Sequence, residues 1–305
     1  MQRRHFVWKL SGRELLLGER TLLMGVLNVT PNSFSDGGKY LDPDRAFARA
    51  IELEEQGADI IDIGAESTKP GSERVSEAEE LRRLIPVLKR LRGKLDTPIS
   101  IDTYKAAVAD KALEYGAALI NDPSGLTFDP QLARIVAKHD AGLIITHMRG
   151  TPETWAKLAP LKDPLGTILK DLDAGAHRAV RSGVDRARIA IDPGLGFGKR
   201  KEQNAEILAR VPELTALEFP LVLGPSRKSF LPLIENASEA FLQCATAAAV
   251  TASILGGAHV IRVHDVVEMK AAALLADQIL SFAGTSDSSA SRAVPPRSGG
   301  SAFRK

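Results

Sequence analysis

The stretch MGVLNVTPNSFSDGG, Met24–Gly38, decides how the chain is read. Five of its first six residues are apolar, as in a strand covered on both faces. The run then meets Asn28, a poor strand former, and passes into a polar, turn-rich segment that reads as a mobile lid over a site. A buried strand that stops on a polar residue and feeds a long loop is a pattern worth searching for elsewhere.

It recurs. Beginning with TLLMGVLN (Thr21–Asn28), the chain carries DIIDIGA (Asp59–Ala65), PISID (Pro98–Asp102), AALIND (Ala117–Asp122) and GLIITHM (Gly142–Met148). RIAIDPG (Arg188–Gly194), PLVLG (Pro220–Gly224) and HVIRVHD (His259–Asp265) complete the set. Helical patterns lie between these runs. Asp42-Pro43 starts one, with Ala46, Phe47, Ala50 and Ile51 on its apolar face and a stop at Gly57. Ser76 and Glu79 have capping-box spacing for the next, and Asp129-Pro130 and Asp163-Pro164 repeat the first start signal. Eight strands alternating with helices predict an α/β chain folded as a (β/α)8 TIM barrel, with a doubly wound open sheet as the alternative.

Two end pieces fall outside the rhythm. FVWKLSGRELLLGE (Phe6–Glu19) reads as an N-terminal β-hairpin that could plug the barrel's bottom. Residues 284–305, rich in Ser, Gly, Pro and Arg, read as a disordered, flexible C-terminal tail, leaving residues 1–283 as a single barrel domain.

Composition narrows the function classes. Forty basic against 38 acidic residues give a net charge of +2, which points away from nucleic acid or an anionic membrane as partner. The N-terminus lacks the apolar core of a signal peptide, and no run approaches the roughly 18 apolar residues of a membrane span. A cytoplasmic location is expected. The single cysteine, Cys244, lies in the Ala-rich run FLQCATAAAVTASIL and reads as a small buried helix residue.

In such a barrel the chemistry sits where the strands end. These strands end on Asn28, Gly64-Ala65-Glu66, Asp102, Asn121-Asp122, Thr146-His147, Asp192, Ser226-Arg227-Lys228 and Arg262-Val263-His264. Asp102, Asn121, Asp192 and Lys228 would ring a partly dehydrated mouth, where Lys228 is expected to pair with one carboxylate. A flat, nitrogen-rich heterocycle would satisfy the remaining acceptors. Asn28, Thr68, Arg262 and His264 form a second set, of the composition expected for phosphate and an accompanying Mg2+. Other motifs fail. Gly194–Lys199, GLGFGK, has neither G-x-G-x-x-G nor Walker A spacing, His139 and His147 are too isolated for zinc, and no G-x-S-x-G elbow exists.

The segments MGVLNVTPNSFSDGG, IDIGAESTKPGS, SIDTYK, INDPSG, ITHMRGTP, IDPGLGFGK, SRKSFL and IRVHDV also resemble, in order, the signature segments of dihydropteroate synthase. The likeness runs from about residue 20 to 282. It implies a homodimeric (β/α)8 barrel that condenses 6-hydroxymethyl-7,8-dihydropterin pyrophosphate with p-aminobenzoate, releasing dihydropteroate and pyrophosphate. By similarity, Asp102, Asn121, Met148, Asp192 and Lys228 would hold the pterin. Asn28, Thr68, Arg262 and His264 would hold pyrophosphate, with Asn28 also on Mg2+. Thr68, Lys69, Pro70, Phe197 and Ser226 would form the p-aminobenzoate pocket. Asp102, Asp192, Lys228, Arg262 and His264 would carry the chemistry, SN1-like, with no nucleophilic side chain. Lys69 departs from the family's usual Arg, a point charge in place of a planar fork, so altered loop closure or p-aminobenzoate handling is expected. A barrel that moves a methyl group from folate to a corrinoid protein, and one that binds pterin without turnover, are the alternatives.

Overall fold

The structure, a computed structural model, describes residues 3–30, 42–231 and 234–289, with side chains as far as residue 283. The lid expected over Val29–Gly38 therefore lies outside the described residues beyond Thr30.

All eight predicted runs are strands. Strands β1 (Phe6–Leu10) and β2 (Arg13–Leu17) form the expected antiparallel hairpin. Next come β3 (Leu22–Asn28), β4 (Ile60–Gly64), β5 (Ile99–Asp102), β6 (Leu119–Asp122), β7 (Gly142–Thr146), β8 (Ile189–Asp192), β9 (Val222–Leu223) and β10 (Val260–Val263). They pair in parallel in the order β8-β7-β6-β5-β4-β3-β10-β9. A parallel bridge from Ile191 to Leu221 joins the two ends, so the sheet closes and the open-sheet alternative is excluded.

The helices form where their start signals lie. In α1 (Pro43–Glu55), Asp42 accepts the N–H of Asp44, and in α2 (Glu77–Leu91), Ser76 accepts the N–H of Glu79. Asp163 caps α5 (Pro164–Arg181) through Gly166. Asp129 behaves differently. Its carboxylate accepts Gln131 N–H and reaches across to Ala106 N–H, so it caps the start of α3 (Ala106–Glu114) from outside, and α4 begins later, at Leu132–Lys138. The remaining helices are α6 (Lys201–Ala209), the short α7 (Val211–Leu214), α8 (Glu239–Leu255) and α9 (Val266–Ser289).

Two sequence expectations need correcting. Cys244 is exposed, not buried. The inward face of α8 is Thr246, Ala249, Val250, Ser253 and Ile254, and a residue two before Thr246 points away from it. Helix α9 also runs through Ser289, past the expected start of the tail at Gly284, because extending a packed helix costs far less than nucleating one. Residues 290–305 lie outside the described residues.

The apolar interior has two layers. Ile61, Ile63, Ile101, Ile120, Leu143, Ile145 and Ile191 point outward from the strands and pack against the helices. Leu22, Met24, Ile60, Leu119, Ile144, Ala190, Val222 and Val260 point inward and pack against Trp8, Leu10 and Leu17 of the hairpin, which stoppers the lower end. Period-2 alternation thus divides each strand between the two cores.

Candidate active site

Above the inner layer the same inward positions turn polar. Ile60 is followed on its face by Asp62 and Gly64, Leu119 by Asn121, Ala190 by Asp192, and Val260 by Arg262 and His264. Register places Asn28 opposite Gly64, Gly64 opposite Asp102, and Asp102 opposite Asn121, so these four stand at one level of the barrel. Arg262 starts lower, opposite Met24, and its long side chain reaches up across the lumen.

Its partners are Asp62 and Asp102. Arg262 Nε donates to Asp62 Oδ2 at 2.6 Å and Nη2 to Asp102 Oδ2 at 3.0 Å. Asp62 is fully buried and also accepts Asn121 Nδ2 at 3.2 Å. Lys228 was expected to neutralise a carboxylate here, and the guanidinium does so instead because its rigid fork spans both acids. Lys228 lies over the ring of Phe197, with Nζ 4.1 Å from the centroid.

Two connected chambers open on these groups. The inner, about 20 Å³, is lined by Asp102, Asn121, Asp192, Phe197, Lys228 and Arg262, among others. The outer, about 420 Å³, includes Asn28, Thr68, Lys69, Pro70, Ser226 and His264 in its wall. Asp102, Phe197, Gly224, Lys228 and Arg262 belong to both walls. Both groups of residues read from the strand ends therefore meet in one mouth. Met148, half-buried, lines neither chamber.

Burial sets the protonation states. It pushes Asp102 above the usual carboxylate range, with Arg262 pulling the other way. Asp192 is also pushed up by burial, opposed by the N–H of Gly194 and by Lys228. Lys228 is brought down to about 8 by burial and by Arg262, against the pull of Asp192 and Asp102. Burial, then Arg262, Arg227 and Lys228, lower His264 to about 3, so its ring is neutral. Ser226 Oγ accepts the backbone N–H of His264 and lies 3.0 Å from its Nδ1. The hydroxyl proton is thus available to Nδ1, which leaves Nε2–H as the donor.

The loops are tied together below the opening. Lys199, buried, donates to the carbonyls of His147, Gly194 and Phe197. Gly194 has φ +66°, and a Cβ there would stand 2.0 Å from His147 O, so only glycine fits. Trp155 stacks on Phe197 at 5.3 Å between centroids. Asp62 and Trp155 are not legible as site residues because neither stands at a strand terminus, and Glu66, which follows the end of β4, carries no local sign of its partners. The available signal for Asp62 was an acid at an inward position in the middle of an apolar run.

A sequence profile described as "Pterin binding enzyme" matches residues 24–264. The dihydropteroate synthase of Synechocystis sp. is 44% identical over 263 residues, covering 86% of this chain and 91% of that one. That of Bacillus subtilis is 42% identical over 266 residues, covering 87% and 91%. The chain belongs to the dihydropteroate synthases, within the pterin-binding enzyme family. Among solved members, Yersinia pestis dihydropteroate synthase in a sulfonamide drug complex superposes with a TM-score of 0.85 at 36% identity, covering 91% of this chain and 100% of that one. Burkholderia cenocepacia dihydropteroate synthase complexed with 7,8-dihydropteroate gives 0.80 at 35%, covering 92% and 98%. Family membership agrees with the mouth of this barrel: acids and an amide in the inner chamber, and cations and hydroxyls around the outer one.

Proposed function

We propose that this chain is a transferase that condenses 6-hydroxymethyl-7,8-dihydropterin pyrophosphate with p-aminobenzoate to give 7,8-dihydropteroate and pyrophosphate. The observation that carries the reading is Arg262, gripped by Asp62 and Asp102 on the wall common to both chambers. The inner acids and Asn121 match the N–H-rich edge of a pterin, and Lys228 completes the ring's hydrogen bonding. The diphosphate then projects past Arg262 toward His264, Asn28 and Thr68.

Leaving-group departure breaks the methylene C–O bond and moves negative charge onto pyrophosphate. Arg262 and the Nε2–H of neutral His264 stabilise that charge as donors already held in place. Buried Asp102 and Asp192 favour the electron-poor pterin that remains. The aryl amine lone pair then forms the C–N bond and the amine loses its proton, so positioning does the work of a nucleophilic side chain. Phe197, Pro70, Thr68, Lys69 and Ser226 wall the space for the aryl amine, in the outer chamber.

The residues present fit Mg2+ held mainly by its substrate. Asn28 offers one hard amide oxygen at the end of β3, beside the proposed diphosphate position, and Mg2+ commonly takes one or two protein oxygens plus phosphate and water. When bound it would offset charge on the departing pyrophosphate. A homodimer is part of the same reading, supported by Leu274, Leu275 and Phe282, exposed on α9 beside α8. A cytoplasmic location is supported by the lone cysteine and by the fact that no helix among the described residues is long and apolar enough to cross a membrane.

The test is direct. Purified protein with both substrates and Mg2+ should release dihydropteroate and pyrophosphate in equal amounts. No product, while a reference synthase turns over alongside, would refute the assignment.

A further inference from the structure

Behind the outer chamber lies a buried charge cluster that the chemistry above does not use. Lys105, the residue before α3, places its ammonium 2.5 Å from Glu66 Oε2 and 2.5 Å from Glu80 Oε2. The three side chains are 10, 9 and 1% exposed, so water contributes little to their neutralisation. Burial pushes the Glu80 carboxyl upward, while Lys105 and the Thr103 hydroxyl resist. One ammonium is thus shared between carboxyl groups contributed by β4's exit and α2.

Glu66 connects this cluster to the site. It lines the outer chamber and stands immediately before the loop that carries Thr68, Lys69 and Pro70. Its Oε2 also accepts the backbone N–H of Val75 at 3.2 Å, and its Oε1 accepts Tyr104 OH at 2.7 Å. One carboxylate thus joins the two feet of a loop with no helix or strand of its own. Within the loop, Ser72 N–H donates to Lys69 O at 3.0 Å and its hydroxyl lies within donating distance of Ser67 O and Lys69 O, so the turn moves as a unit on those feet.

We propose that Lys105 is a positioning residue for the aryl-amine end of the site: by clamping Glu66 it sets the Ser67–Arg74 loop, and by neutralising Glu66 it lets an anionic aryl amine approach that wall. The inference rests on the proposed function. Its physical content is that a carboxylate without its ammonium would both release the loop and repel the carboxylate of p-aminobenzoate. The inner recess proposed for the pterin edge, walled by Asp102, Asn121 and Asp192, does not include Glu66 and feels the cluster only through the repulsion of Glu80 on Asp102.

Lys105→Met should raise KM for p-aminobenzoate about tenfold or more, leave KM for the pterin pyrophosphate within about twofold, and lower kcat little. Lys105→Arg should recover much of the loss. Tyr104→Phe, which removes one hydrogen bond to Glu66 and no charge, should shift the same KM in the same direction by about two- to threefold. Hydrogen exchange at the Val75 amide should quicken in both Lys105→Met and Tyr104→Phe, a readout independent of turnover. Equal rises in both KM values, or an unchanged KM for p-aminobenzoate, would overturn the proposal. Should Lys105→Met fail to fold, Tyr104→Phe decides, and an unchanged KM with unchanged Val75 exchange overturns it. Absence of product from the wild-type protein would sink the synthase reading, whereas the exchange result alone would still accept or reject the clamp.

Discussion

The two ends of the barrel lumen are built from the same strands and differ by two residues. At the lower end Ile60, Leu119, Ala190 and Val260 face Trp8 and Leu10 of the hairpin. One inward step further along come Asp62, Asn121, Asp192 and Arg262. The lower end gains stability from dispersion and from removal of apolar surface from water, and its one polar atom on Trp8, Nε1–H, is used by Arg188 O at 2.9 Å. The upper end pays for its buried charges with mutual pairing and keeps the surplus hydrogen-bonding capacity for a ligand. Asp102, Asn121, Asp192 and Lys228, which line the inner chamber, carry that surplus. Stability and chemistry are thus segregated along the axis, and substitutions should separate them.

The largest effect is expected at the mouth. Arg262→Met leaves Asp62 and Asp102 unpaired, so stability should fall by about 3–5 kcal/mol in denaturant titration and kcat/KM by about a thousandfold or more. Adding Asp62→Asn should restore part of the stability and none of the activity. Recovery of activity in the double variant would show that Arg262 serves the fold alone. At the opposite end, Trp8→Ala should cost a similar 3–5 kcal/mol through the cavity it leaves, yet kcat/KM per folded molecule should stay within about twofold. A thousandfold loss of activity there would erase the distinction between the ends.

Lys228 sharpens the comparison through pH. With its folded value near 8 and a higher value when unfolded, the unfolded chain holds more protons between those limits. Stability from this group therefore rises as pH rises through that interval. Pterin binding should do the opposite and weaken above about pH 8 as the ammonium is lost, and Lys228→Met should remove both trends. Parallel pH profiles for stability and binding would contradict this. The smallest effect is outside the lumen: Asp42→Ala removes only the cap that accepts Asp44 N–H, at about 1 kcal/mol, with no change in either KM.

Much of this was legible in the sequence because parallel strands covered on both faces appear as short apolar runs, and a barrel of this kind displays its chemistry where those runs stop. Asn28, Asp102, Asn121, Asp192, Lys228, Arg262 and His264 all stand at or just past such stops and line the mouth. Asp62 escaped because it lies inside a run, and its value depends on an arginine 200 positions away. Lys105 and Glu80 look like ordinary helix charges, and Glu66 at the exit of β4 like a solvated one, until α2, α3 and β4 are brought together. Cys244 was misread because an Ala-rich helix has little amphipathic contrast to show which side faces inward.

The sequence by itself determined the number of strands, their order in a repeating α/β pattern, the hairpin before them and most of the polar groups at their ends. These are local properties, written in periodicity, caps and turn residues. Tertiary structure alone decided which charges pair. Closure brings β10 beside β3, and Arg262, which begins two levels below Asp62, spans the lumen to reach both acids. That choice rests on side-chain reach and burial across strands distant in sequence, for which no local pattern exists.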